Sequence, residues 1–155
     1  MTLDDVLDLP PSGALMGLDP GSKTIGVAVS DGLRITATAL ETIRRKKFSQ
    51  DAERLKEIAQ GRDIKGVVVG LPRNMDGSEG PRAQSARAFA RNVAQTLDLP
   101  VAFWDERLST AAAERTLLEA DASRKRRKEV IDSLAAQYIL QGALDRLATG
   151  NGMGI

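Results

Sequence analysis

The chain contains no cysteine and no histidine in its 155 residues. Their absence removes disulfides, thiol nucleophiles, Ser-His-Asp triads and the usual zinc sites. Any chemistry must therefore run on carboxylates, hydroxyls and cations. Aromatic residues are scarce too: one Trp, one Tyr and three Phe are too few for a protein that grips single strands by stacking bases on rings. Trp104 and Tyr138 are accordingly assigned to the core. No apolar run approaches the roughly 18 residues that a membrane span needs, and Met1 to Gly13 carries three aspartates and no cationic stretch, unlike a signal peptide. The expectation is a soluble, cytoplasmic, single-domain protein, because a chain of this length buries one good core.

The net charge of +1 hides an uneven distribution. Arg44 to Lys47 and Arg124 to Lys128 hold nine of the 22 basic residues, which leaves 13 basic against 21 acidic residues elsewhere. Two concentrated basic runs on an acidic body fit a surface for a polyanion, with solvated loops as the plainer account.

The stretch Leu15 to Asp31 organises the rest. Apolar flanks around Pro20-Gly21-Ser22-Lys23-Thr24 read as a β-hairpin, and Asp19 stands where the first strand runs out. Packing does not require an aspartate there, although a turn aspartate bonded to its own backbone is the ordinary alternative. Met1 to Gly13, with Pro10-Pro11-Ser12-Gly13, reads as a flexible or loosely docked extension outside the core. After the Asp31-Gly32 turn, alternation from Leu33 to Leu40 predicts a third antiparallel strand. A helix is expected over Phe48 to Gln60, with Phe48, Ala52, Leu55, Ile58 and Ala59 on its buried face.

Gly66-Val67-Val68-Val69-Gly70 changes the pattern. A short, wholly apolar run of this kind suits a parallel strand buried on both faces. The polar loop Leu71 to Gly80 then falls at the strand's C-terminal end, where open α/β sheets place ligands. Pro81 suits the start of a helix that runs to Leu97. Val101-Ala102-Phe103-Trp104 is a second apolar strand and leads straight into Asp105-Glu106-Arg107-Leu108-Ser109-Thr110. A helix over 111–120, a basic loop over 121–127 and a last helix over 128–148 complete the reading. The last helix is expected to bury Val130, Ile131, Leu134, Ala135, Tyr138 and Ile139.

Asp19, Asp105/Glu106 and Asp132 thus come from a first strand, a later strand end and the final helix. Antiparallel strands followed by parallel ones allow these positions to meet at one sheet edge, although Asp132 also has Lys128 one turn back as an ordinary partner. Clustered carboxylates repel one another and call for divalent cations. Mg²⁺ or Mn²⁺ takes oxygen ligands, and two such ions can stabilise both the attacking and the leaving oxygen of a phosphodiester.

Four blocks in this chain resemble, in order, the motifs of the YqgF family, the RuvC-like pre-16S rRNA nucleases also described as Holliday junction resolvases. They are Leu18 to Asp31, Gly70-Leu71-Pro72 with Asp76-Gly77, Asp105 to Thr110, and Lys128 to Ala136, and the resemblance covers about Ala14 to Leu147. It implies an RNase H-like fold whose mixed five-stranded sheet, three antiparallel strands then two parallel, is flanked by helices. The domain would occupy residues 14–150, with 1–13 as an extension and 151–155 as a tail. It also implies metal-dependent hydrolysis of nucleic acid, with Asp19, Glu106 and Asp132 as ligands of two Mg²⁺ or Mn²⁺ ions. Asp105 ranks below Glu106, since strand alternation turns it to the opposite face.

Lys23 and Arg107 are the cations nearest those acids in sequence and are candidates to hold the scissile or an adjacent phosphate. The runs Arg44 to Lys47 and Arg124, Lys125, Arg126, Arg127 and Lys128 would grip flanking phosphates with little base reading. The function implied is processing of the 5′ end of precursor 16S rRNA, by a monomer or a homodimer. A junction-resolving DNA endonuclease, a non-catalytic RNA-binding scaffold and an actin- or sugar-kinase-like nucleotide binder stand as alternatives, the last disfavoured because one short chain lacks a second lobe.

Overall fold

A computed structural model of the chain describes residues 2–108 and 125–149, with side chains described for 2–107 and 131–149. The elements are β1 (Thr2–Leu3), β2 (Leu15–Pro20), β3 (Thr24–Ser30), β4 (Ala37–Arg44), α1 (Phe48–Gly61), β5 (Gly66–Leu71), α2 (Pro81–Leu97), β6 (Val101–Asp105) and α3 (Lys125–Ala148). They build one sheet in the order β1-β6-β5-β2-β3-β4. The hairpin β2–β3 and the pair β3–β4 are antiparallel, whereas β2–β5, β5–β6 and β1–β6 are parallel. The antiparallel-then-parallel grammar read from the sequence is therefore the grammar of the sheet.

The strands at its centre are apolar because both faces are covered. Met16, Leu18, Val67, Val69, Val101 and Phe103 point to one layer, which α1 and α2 close with Leu55, Ile58, Phe89 and Val93. Leu15, Val68, Ala102 and Trp104 point to the other, closed by Ala136, Ile139, Leu140, Ala143 and Leu144 of α3. Trp104 belongs to this core, and Tyr138 packs against it half-buried.

The sheet has six strands, not five. The extra one is β1, whose Thr2 and Leu3 pair with Val101 and Ala102. The N-terminal segment expected outside the core also buries Val6 and Leu9 in the α3 layer. Asp5 caps the turn Val6–Asp8 by accepting the Leu7 N–H at 2.9 Å. A two-residue strand has no periodicity to read, so burial of single apolar side chains is what anchors the segment.

The third strand begins later than the alternation suggests. Leu33 and Ile35 are 81% and 66% exposed, because the chain first closes a loop around Asp31. One oxygen of that carboxylate accepts the N–H groups of Ile35 and Thr36, each at 2.8 Å. Arg34, at φ 60°, donates to the carbonyls of Gly13 and Ser12. Strand pairing starts only at Ser30 with Ala37. The free edge of β4 is then covered from α3: Gln141 and Gln137 accept the N–H groups of Ala37 and Ala39 at 2.9 and 3.0 Å, which blunts an edge open to further pairing.

Helix α3 starts at Lys125, so Lys125, Arg126 and Arg127 are helical and do not lie in the expected loop. The helix expected over 111–120 lies outside the described residues, as do Arg124 and the tail. The buried face of α3 also differs from the expected stripe: Leu134 and Tyr138 are half-buried, while Ala136, Leu140, Ala143 and Leu144 are fully covered. The sheet beneath explains the shift. A Cβ on Gly17 would fall 2.7 Å from Leu140 Cβ, and one on Gly26 would fall 2.0 Å from the Asp132 carbonyl oxygen. Glycine lets α3 lie so close that residues beside the expected stripe become its contact line. No helix among the described residues is long and apolar enough to cross a membrane.

Candidate functional site

Asp19 is the fifth residue of β2, on the face that also carries Leu15 and Gly17, and it is only 6% exposed. It therefore projects into the α3 layer near the strand's C-terminal end. Across the hairpin it pairs with Gly26, and it is above Gly26 that the backbone of α3 presents Asp132. Asp132 is itself 9% exposed. Thr24, at the start of β3, donates its hydroxyl to Asp132 Oδ2 at 2.5 Å. Glycine at position 26 is thus what lets the helix deliver a carboxylate beside the β2 strand end.

Glu106 arrives from the other side. It follows β6 directly and opens the short turn Glu106–Leu108. Its side chain leans over β5, where a Cβ on Gly70 would stand 2.9 Å from Glu106 Oε1. Gly70 follows Val69, which pairs with Leu18, the residue before Asp19. Burial raises the proton affinity of Glu106 above the usual glutamate range; nearby Arg82 opposes that rise and Asp105 adds to it.

Asp105 faces away, as alternation requires. It accepts from Arg107 Nη2 at 2.8 Å and lies 3.9 Å from Arg73. The hydrogen-bonded Arg107 guanidinium holds its carboxyl below the usual range. Arg107 spends its donors on Asp105 and on the Met75 carbonyl, 3.3 Å away in the loop after β5. Lys23 sits exposed in the β2–β3 turn next to Asp19, and its carbonyl accepts the Arg45 N–H at 2.9 Å. Lys125 to Arg127 occupy the first turn of α3.

Asp19, Glu106 and Asp132 therefore stand on one face of the sheet, around the ends of β2 and β6, each supplied by a different element. Among the described residues, no group of three or more acidic side chains stands assembled to hold an ion. Sequence reasoning missed two residues of this neighbourhood. Thr24 gave no signal beyond its place in a Gly-Ser-Lys-Thr turn. Arg82 was visible as the cation directly after a helix-starting proline, at the end of a loop already marked as a ligand edge.

Comparison with known proteins agrees with this architecture. The family model described as "RuvX: Holliday junction resolvase" matches residues 13–146. A Cereibacter sphaeroides protein named "Putative pre-16S rRNA nuclease" is 71% identical over 144 residues, which is 93% of this chain and 90% of that one. A protein of the same name from Ruegeria sp. TM1040 is 71% identical over 139 residues, covering 90% and 88% of the two chains. Among solved structures, Thermus thermophilus RuvC in complex with a Holliday junction substrate superposes with a TM-score of 0.54 at 16% identity, over 88% of this chain and 97% of that one. At that identity the likeness speaks for the fold, which is RNase H-like. Matched along nearly its whole length, the chain belongs to the RuvX Holliday junction resolvase family.

Proposed function

We propose that this protein is a nuclease that hydrolyses phosphodiester bonds, with Asp19, Glu106 and Asp132 as its catalytic carboxylates and precursor 16S rRNA as its substrate. The observation that carries the reading is the delivery of three acids, from β2, the end of β6 and α3, to one face of the sheet. The relatives' name, pre-16S rRNA nuclease, is what suggests the rRNA.

The donor set is all oxygen, which suits Mg²⁺ or Mn²⁺. Two of its acids are nearly buried and the third has its proton affinity raised by burial, so a cation would favour their charged forms. When bound, such ions supply charge neutralisation at the phosphate and a stronger water nucleophile. The chain's own residues position the reaction. Thr24 orients the Asp132 carboxylate, and the hairpin holds Asp19 at the strand end. Lys23, the run from Arg44 to Lys47 and the run from Arg124 to Lys128 supply cations for the phosphates of the strand. Arg107, bound to Asp105, orders the loop after β5 at the rim.

A second reading, resolution of four-way DNA junctions, is favoured by the description of the family model. It calls for a homodimer that presents two sites to one junction. Both readings are tested by incubating end-labelled precursor 16S RNA and a four-way DNA junction with the protein in Mg²⁺, Mn²⁺ or EDTA, alongside Asp19→Asn. Metal-dependent cutting of the RNA that Asp19→Asn abolishes is the expected result. Preferential cutting of the junction moves the assignment to DNA. RNA binding in EDTA with no cutting of either substrate under any condition overturns the nuclease in favour of a scaffold.

A further inference from the structure

A cavity of about 220 Å³ opens at the end of the sheet that carries the carboxylates, on its α2 side, between the β2–β3 turn and the first turn of α2. Gly21, Ser22, Arg45, Arg82 and Ser85 line it, and no carboxylate does. Two guanidinium groups and two hydroxyls around one concavity make a donor-rich, positively charged site. Its rim reaches the strand end that bears the candidate site, since Pro20 on that rim directly follows Asp19.

Arg45 is already held in place. Its N–H donates to the Lys23 carbonyl at 2.9 Å, its Nη1 donates to the Gly21 carbonyl at 2.6 Å, and its guanidinium lies 5.3 Å from the centre of the Phe89 ring. A guanidinium carries five N–H donors in a planar fork, so a group anchored through one of them keeps others for a ligand. Across the cavity, α2 begins at Pro81 with no acidic residue and no capping side chain in its first turn. The positive end of that helix adds to the field of the two arginines. Little reorganisation is needed for an anion to enter.

We propose that this cavity is a phosphate subsite, in which Arg45, Arg82, Ser22 and Ser85 hold a phosphate of the nucleic-acid strand neighbouring the one presented to Asp19, Glu106 and Asp132. The inference rests on the nuclease reading for the identity of the strand. Paired arginines suit a phosphate because the fork matches its oxygens two at a time. Contacts of this kind fix where the strand lies without reading its sequence. The subsite would thereby set which bond reaches the carboxylates.

The test is binding without cutting. Wild-type protein in EDTA is titrated with a short fluorescein-labelled RNA across a range of salt, next to Arg82→Gln, Ser85→Ala and Arg45→Lys. Arg82 and Ser85 are exposed at the cavity wall, so their variants are expected to unfold like wild type. Arg82→Gln is expected to weaken binding roughly tenfold and to make the salt dependence shallower by about one ion. Inorganic phosphate added to the metal-free protein should shift the amide resonances of Gly21, Ser22 and Arg82. The same RNA with a 5′-phosphate or a 5′-hydroxyl identifies the source: a gain from the 5′-phosphate that Arg82→Gln erases means a chain end, and equal affinity means an internal diester. Unchanged affinity and salt slope in Arg82→Gln would overturn the subsite even if wild type cuts RNA. Conversely, the expected binding losses in a protein that cuts nothing would keep the subsite and remove the nuclease.

Discussion

The hydroxyl of Thr24 donates to Asp132 Oδ2 at 2.5 Å, tying the first residue of β3 to the last described helix across 108 residues of sequence. Thr24 thereby fixes the direction of a carboxylate that the proposed function makes a metal ligand. Hydrogen bonds of this supporting kind hold a ligand's direction, and their loss lowers metal affinity or activity by roughly 10- to 100-fold. Thr24→Val keeps the branched shape and removes the donor. Its cleavage rate should fall by about that factor and recover partly at high Mg²⁺, while Thr24→Ser should stay near wild type. Full activity of Thr24→Val at limiting Mg²⁺ would show that Asp132 needs no such support.

Gly26 and Gly70 both lie under α3, yet their replacement by alanine should differ in cost. At Gly26 the new Cβ meets backbone, the Asp132 carbonyl oxygen at 2.0 Å, and backbone cannot turn aside. At Gly70 it meets Ile139 Cδ1 at 2.5 Å and Glu106 Oε1 at 2.9 Å, both ends of side chains that can rotate. Overpacking of a tight interior typically costs about 1–3 kcal/mol. Gly26→Ala should reach or exceed the top of that range, with Gly70→Ala below it. Urea unfolding of the two variants decides, and equal midpoints would mean that α3 slides freely over the sheet.

These glycines also mark where reading from sequence stopped. The hairpin, the apolar strands β5 and β6 and helix α2 were legible because periodicity and turn residues agreed along each of them. Asp19 stood out as a charge at the end of an otherwise apolar strand, and Asp132 as an acid beside the apolar stripe of the last helix. Gly17 and Gly26, in contrast, look like weak points in a strand, and nothing local says that a helix from the far end of the chain rests on them. The same holds for Leu33 and Ile35. Their alternation imitates a strand, but the carboxylate of Asp31, accepting two N–H groups, and Arg34, bonded to the Gly13 and Ser12 carbonyls, hold them in a loop. The sixth strand was illegible for a simpler reason: two residues carry no pattern.

Asp51 is 3% exposed in the first turn of α1, and its carboxylate accepts the Lys46 N–H at 3.1 Å. It therefore fixes how the basic run from Arg44 to Lys47 enters the helix, and it lies at the end of α1 where a negative charge is favourable. Asp51→Ala leaves the Lys46 N–H without its acceptor and should cost about 1–3 kcal/mol. Asp51→Asn keeps an acceptor and should lose less. Urea denaturation orders the three proteins, and an Asp51→Ala variant as stable as wild type would show that water serves the Lys46 N–H equally well.

Burial holds the proton affinity of Glu106 above that of an unfolded glutamate, and the consequence for stability has a definite sign. Between the unfolded and the folded pKa, the native state keeps a proton that the unfolded chain has released. Stability contributed by this group therefore falls as pH rises through that window, and the penalty is complete above the folded value. Glu106→Gln carries no such penalty. In EDTA it should be more stable than wild type at neutral pH, and the gap should close as the pH is lowered through the window until both side chains are uncharged. Added Mg²⁺ should raise the melting temperature of wild type and leave Glu106→Gln nearly unmoved, since a bound cation favours the charged carboxylate. Thermal unfolding over a pH series, with and without Mg²⁺, measures both effects. A Glu106→Gln variant that is less stable than wild type at neutral pH in EDTA would mean that Arg82, not burial, governs this carboxylate.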